Sequence, residues 1–228
     1  MAEFPVHREL ENGEGGHFMD SRTFKLSTSQ VPLKVTPGHF ATNHAHVNYY
    51  LDSTTLKSRQ SEARETARAL VGAYVYNTVV DTIVCLEGMQ VVGAYLADEL
   101  TQAGVMSRNA HQTIYVVSPE FNSNSQMIFR DNLQPMIKGK NILLLLAVVT
   151  TGKTIAKGME CIQYYGGILQ GVSAIFTAVD QVDGIPIHSV YTKRELPDYQ
   201  AFDFRECPFC QKGQKLDALV NSYGYSKL

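Results

Sequence analysis

The sequence predicts an α/β fold: a parallel sheet with helices on both faces and a small N-terminal hood. Three observations predict it. Val79–Leu86, Thr113–Ser118, Asn141–Val149 and Gly171–Val179 are short apolar runs of strand length. Two of these runs lead into segments of helical period that end in glycine, Gly88–Gly104 and Gly152–Gly167. Before them, Phe24–Asp52 carries short alternating runs broken by Pro32, Pro37 and Gly38. Strands that are apolar throughout and alternate with helices belong to parallel sheets covered on both faces.

Taken in order, Met1–Asp20 is glycine-rich and charged, and reads as an arm or an outlying strand. Phe24–Asp52 reads as strands and turns. From Ser58 to Tyr76, the spacing of Ala63, Ala67, Leu70, Val71 and Tyr74 makes one apolar helical face. The alternation of strands and helices follows, with Ile185–Thr192 as a fifth strand. This divides the chain into an arm and hood (1–52), a core (53–192) and a C-terminal extension (193–228). The tail Leu216–Leu228 has an aromatic and apolar spacing that predicts docking against the body or a partner.

Composition limits the function. The chain has 228 residues, 44% of them hydrophobic and 18% charged, with a net charge of -2. That balance gives no electrostatic attraction to nucleic acid or to an anionic membrane. The longest apolar run, Ile142–Val149, is far short of a membrane span, and the first residues carry no apolar signal segment. Four cysteines with a single CxxC do not make a disulfide framework, and a cytoplasmic protein is expected.

Ligands of parallel sheets bind at the carboxyl ends of the strands, which brings Glu87–Gln90 and Thr150–Thr154 to one pocket. Thr150, Thr151, Gly152, Lys153 and Thr154 lie between a buried strand and a helix. Such a turn frees backbone N–H groups for an anion, and the helix dipole, the threonine hydroxyls and the lysine charge add to it. One reading is the loop of a nucleotide-hydrolysing enzyme. Ala147–Thr154 fits G-x-x-x-x-G-K-[ST] except at its first position, and Asp180 would be the second acid. The missing glycine removes the tight bend that loop needs.

The other reading covers more of the chain. Val148-Val149-Thr150-Thr151-Gly152 resembles the ribose-phosphate loop of type I phosphoribosyltransferases. The acidic pair that precedes it in that family, holding the ribose hydroxyls of phosphoribosyl pyrophosphate (PRPP), falls on Leu146 and Ala147. Leu33-Lys34, the turn at Pro37-Gly38 and Tyr49-Tyr50-Leu51-Asp52 resemble the orotate phosphoribosyltransferase branch, and Glu87 and Gly88 stand where its pyrophosphate loop belongs.

The resemblance implies a transferase of pyrimidine biosynthesis that moves ribose 5-phosphate between PRPP and a pyrimidine base. It implies magnesium, a homodimer, and Lys34 against pyrophosphate. Tyr49 or Tyr50 would lie against the base, and Arg130 stands for the family's catalytic loop. The absent acids also leave open a non-catalytic member that binds a phosphosugar or nucleotide. A valine at Gly152 is expected to block the phosphate and leave the fold intact.

Glu206–Gly213 has the shape of a zinc knuckle, with Cys207 and Cys210 spaced to share one zinc ion. Two more ligands would come from among His39, His44, His46, His188, Cys85 and Cys161, or from a partner subunit.

Overall fold

The structure, a computed structural model, describes residues 21–25, 31–102, 107–110, 112–123 and 126–228. The arm Met1–Asp20 and the helix stop at Gly104 lie outside the described residues.

The core sheet is built as the apolar runs require. Its strands are β4 (Thr82–Cys85), β5 (Tyr115–Val117), β8 (Asn141–Val149), β9 (Ile168–Thr177) and β11 (Ile185–Thr192), with β10 (Gln181–Val182) at one edge. The order is β10-β11-β9-β8-β4-β5, and all pairs are parallel except the edge pair β10–β11. β8 lies inside the sheet and is buried along almost its whole length because both of its faces are covered. Leu143, Leu145 and Ala147 face the layer of α2 (Gln60–Val71), α3 (Gln90–Gln102) and the hood. Ile142, Leu144 and Leu146 face α4 (Lys153–Tyr164) and the segment around Phe129–Ile137. This alternation is the pleat of a strand, with successive side chains sent to opposite faces.

Of the helix expected over Ser58–Tyr76, α2 covers Gln60–Val71, and a separate short helix precedes it. α1 (Thr54–Ser58) stops at Arg59, which is extended, and α2 begins at Gln60 and ends at Val71. Tyr74 therefore does not continue the helical face. It drops from the following turn into the core, where its hydroxyl donates to Val172 O at 3.0 Å and pairs with Ser173 Oγ at 2.8 Å. A Cβ added at Gly171 would come within 2.6 Å of that ring. Tyr74→Phe leaves buried polar atoms without their partner, and is expected to cost about 1–3 kcal/mol in urea unfolding.

The hood is a second sheet of β2 (Pro32–Ala41) and β3 (His46–Asp52), with β1 (Arg22–Lys25) paired to β2. Three strands from the C-terminal extension complete it. β12 (Ala201–Phe202) pairs with β3, while β13 (Ala218–Asn221) runs parallel to β2 and turns back as β14 (Gly224–Lys227). The tail thus docks against the body as strands, and residues 193–228 share one sheet with the hood. Among the described residues no helix is long and apolar enough to cross a membrane.

Candidate functional site

The carboxyl ends of β4 and β8 open onto a cavity of about 170 Å³ between the core sheet and the hood. Its floor is the loop that leaves β8. Thr150 and Thr154 line the cavity, and Thr151, Gly152 and Lys153 line a smaller recess continuous with them in sequence. Gly152 has φ 77°, the left-handed region that glycine tolerates, and it caps α4. The backbone N–H groups of the first turn of α4 have no partner within the helix, so the loop and the helix end together present donors. A Cβ on Gly152 would clash with Val182 Cγ2. The expectation that Gly152→Val spares the fold is therefore corrected: valine would strain the loop as well as block it.

The side walls come from three places. Tyr49 and Tyr50 reach in from β3, Ser53 and Thr54 from the start of α1, and Glu87 from the loop after β4. Glu87 has φ 55°, an uncommon backbone for a non-glycine residue, and its Oε2 accepts from Ala147 N at 3.0 Å and Val148 N at 3.2 Å. A carboxylate is thus brought to the backbone where the acidic pair is missing. Lys57 Nζ donates to Glu87 O at 2.9 Å and to Ser222 O at 2.5 Å, linking this wall to the C-terminal turn. Burial lowers the Lys57 pKa, while Glu87 and Asp52 act in the opposite sense.

Burial raises the pKa of the Glu87 carboxyl, and the two backbone N–H groups and Lys57 only partly oppose it. The folded chain therefore holds this proton at a pH where the unfolded chain, with a carboxyl near the usual value of about 4.3, has released it. The stability that Glu87 contributes is present below that value and is lost as pH rises through the raised one. Glu87→Gln has no such loss. Its urea midpoint is expected to match the parent's near pH 4 and to exceed it increasingly as pH rises, until the raised folded value has been passed. A gap that stays flat with pH would show that the N–H groups and Lys57 balance burial, and a gap that moves in the parent's favour as pH rises would show that they outweigh it.

Several walls were invisible in the sequence. Thr42, Asn43 and His44 form the tip of the β2–β3 hairpin, where Thr42 Oγ1 accepts from His44 N at 3.1 Å and Ala45 N at 2.9 Å. Burial first, then the charges of Lys157 and Lys153, hold the His44 pKa below its ordinary value. Val220, Asn221, Ser222 and Gly224 close the cavity from the β13–β14 hairpin. No local pattern marks the residues of the β13–β14 hairpin as ligand walls; the parallel pairing of β13 with β2 delivers them.

Other expected site residues lie elsewhere. Lys34 is exposed on β2 and does not line the cavity, because its neighbours Leu33 and Val35 point inward and the pleat turns Lys34 outward. Arg130 follows the small hairpin of β6 (Glu120–Phe121) and β7 (Met127–Ile128), and its guanidinium pairs with exposed Glu120 at 2.7 Å, outside this chain's cavity. Gly88 and Asp180 do not line the cavity either. Leu146 packs into the α4 layer, whereas Ala147 lines the cavity. Among the described residues of the cavity wall, Glu87 is the one carboxylate, and two backbone donors already hold one of its oxygens. That wall does not fit the magnesium the resemblance implies, which needs several hard oxygen ligands. Cys207 and Cys210 are outside the cavity and face His39 and His46; His188, Cys85 and Cys161 are not part of that group.

The fold has counterparts among solved structures. UMP synthase of Leishmania donovani matches with a TM-score of 0.53 at 14% identity, over 79% of this chain and 36% of that one. Orotate phosphoribosyltransferase of Aeropyrum pernix matches with a TM-score of 0.50 at 18% identity, over 72% of this chain and 91% of that one. The fold is that of the type I phosphoribosyltransferases. In sequence, the chain is 33% identical over 78 residues to the orotate phosphoribosyltransferase of Caldanaerobacter subterraneus, a match covering 33% of this chain. The matched part spans 39% of that relative's length and, in structure, 36% of the UMP synthase chain. No family model matches the chain. On a phosphoribosyltransferase fold, the cavity above β4 and β8 is the carboxyl-end crevice in which ligands of open parallel sheets bind.

Proposed function

We propose that the chain binds a phosphoribosyl compound, with the 5-phosphate on Thr150–Thr154 and a pyrimidine-type ring toward Tyr49 and Tyr50. The observation that carries this reading is the joint lining of one cavity by the β8–α4 loop and the two tyrosines. The loop offers hydroxyls, free N–H groups and the Lys153 charge to a phosphate, and none of these depends on the missing acids. The similarity to orotate phosphoribosyltransferase supports the pyrimidine side of the reading.

Binding without efficient transfer is the form of this function that the site favours. Transfer needs charge stabilisation beside the ribose, and Leu146 and Ala147 supply none. The test is a calorimetric titration with PRPP, orotate, orotidine monophosphate and ATP, each with and without magnesium. Saturable binding of PRPP or orotidine monophosphate, with no binding of ATP, is expected. Preference for ATP would overturn the reading in favour of a nucleotide-hydrolysing loop.

A further inference from the structure

Away from the cavity, four groups that bind soft metals converge. His39 Nε2 lies 3.3 Å from Cys207 Sγ and 3.6 Å from Cys210 Sγ, and His46 Nδ1 lies 3.3 Å from Cys210 Sγ. The two ring nitrogens are 3.1 Å apart, and all four atoms lie within 4.8 Å of one another. A tetrahedron with Zn–N of about 2.0–2.1 Å and Zn–S of about 2.3 Å sets its ligand atoms roughly 3.3–3.8 Å apart. The three N–S distances fall in that range, and the N–N distance of 3.1 Å is slightly short of it. Both cysteines are free thiols, and His39 and Cys207 are fully buried.

A second observation points the same way. His39 Nδ1 sits 3.2 Å from both Gln214 O and Lys215 O, so it carries the proton and donates it to backbone. Nε2 is left with its lone pair aimed at the other three groups. An outer partner that sets the tautomer in this way is the usual companion of a histidine ligand. The backbone is arranged to match. A register shift between Pro37 and Phe40 re-aims β2 at His39, and Gly213, at φ 72°, turns the chain after Cys210.

We propose that His39, His46, Cys207 and Cys210 form a tetrahedral structural zinc site that fastens the C-terminal extension to the hood. Its place gives it a consequence. The two histidines flank the hairpin tip that carries His44 into the cavity. The two cysteines precede β13 and β14, which close the opposite wall. Zinc therefore holds two walls of the cavity at once.

The test uses the full chain and a readout that does not depend on any ligand of the cavity. Elemental analysis after dialysis is expected to find one zinc per chain. Replacement by cobalt(II) is expected to give a thiolate charge-transfer band and the strong d–d absorption of a tetrahedral site. Cys210→Ser and His46→Asn should weaken zinc retention by more than the about 10–100-fold that loss of an outer partner costs. Cys161→Ser should retain it. Chelation should speed tryptic cleavage between Arg205 and Lys215. Parent protein that binds neither zinc nor cobalt, or whose Cys207 and Cys210 join in a disulfide, would overturn the proposal. So would Cys210→Ser that keeps zinc at the parent level. Should a ligand variant fail to fold, the cobalt spectrum of the parent decides alone.

Discussion

Orotate is expected to turn over at least about 10²–10³-fold more slowly in this chain than in a site carrying both carboxylates, with PRPP affinity barely changed by magnesium. The reason lies at two adjacent residues on β8. Ribosyl transfer develops positive charge at the sugar, and a preorganised carboxylate there stabilises it. Leu146 is 1% exposed and packed in the α4 layer, and Ala147 has no polar atom beyond its backbone. Glu87 brings one carboxylate to Ala147 N and Val148 N, yet burial opposes its charge.

The geometry also decides how activity could be introduced. Leu146→Asp would cost at least the about 2–5 kcal/mol of a leucine truncation, and would bury an unpaired carboxyl as well. Ala147→Asp faces the cavity, but there it would meet Glu87. Ala147→Asp combined with Glu87→Gln is therefore the variant expected to gain magnesium-dependent PRPP binding while keeping the fold. Paired titrations of parent and double variant, with and without magnesium, measure this. Parent turnover that is fast and strictly magnesium-dependent would sink the argument.

Lys153→Ala should weaken phosphate-ester binding by about tenfold to a hundredfold. A hydrogen bond to a charged group contributes about 1.5–3 kcal/mol, and each 1.4 kcal/mol is a factor of ten in affinity. Lys153 is exposed at the first position of α4 and lines the recess of the loop. Its removal should therefore leave the free energy of urea unfolding within about 0.5 kcal/mol of the parent. This separation of binding from stability is why alanine at Lys153 is a sharper test than valine at Gly152, where Val182 stands in the way. Calorimetry with orotidine monophosphate and with inorganic phosphate reads the effect. Equal affinities in parent and variant would move the phosphate off this loop.

Much of the fold was legible because the sheet's signal is local. β8 and β9 read as buried strands because they are apolar on both faces, and the turn at Thr150–Thr154 sits where a strand of that kind meets a helix. The CxxC marked Cys207 and Cys210 as neighbours by its spacing alone. The helix end at Val71 was not legible, since Ala63, Ala67, Leu70, Val71 and Tyr74 fit a single helical period. The core decided otherwise by taking Tyr74 down to Ser173 instead of along the helix.

What the sequence alone determined is therefore the layered α/β body, the strand-to-helix loop at the end of β8 and the close pairing of Cys207 and Cys210. The tertiary structure alone decided the rest. It chose His39 and His46, rather than His44 or His188, to face those cysteines. It set Glu87 against the backbone of Ala147, and it closed the cavity with residues from both ends of the chain. The physical reason is the same in each case. Periodicity and turn chemistry act over a few residues, whereas these pairings join strands such as β2 and β13, which lie far apart in the chain and are registered by the packing of the whole hood.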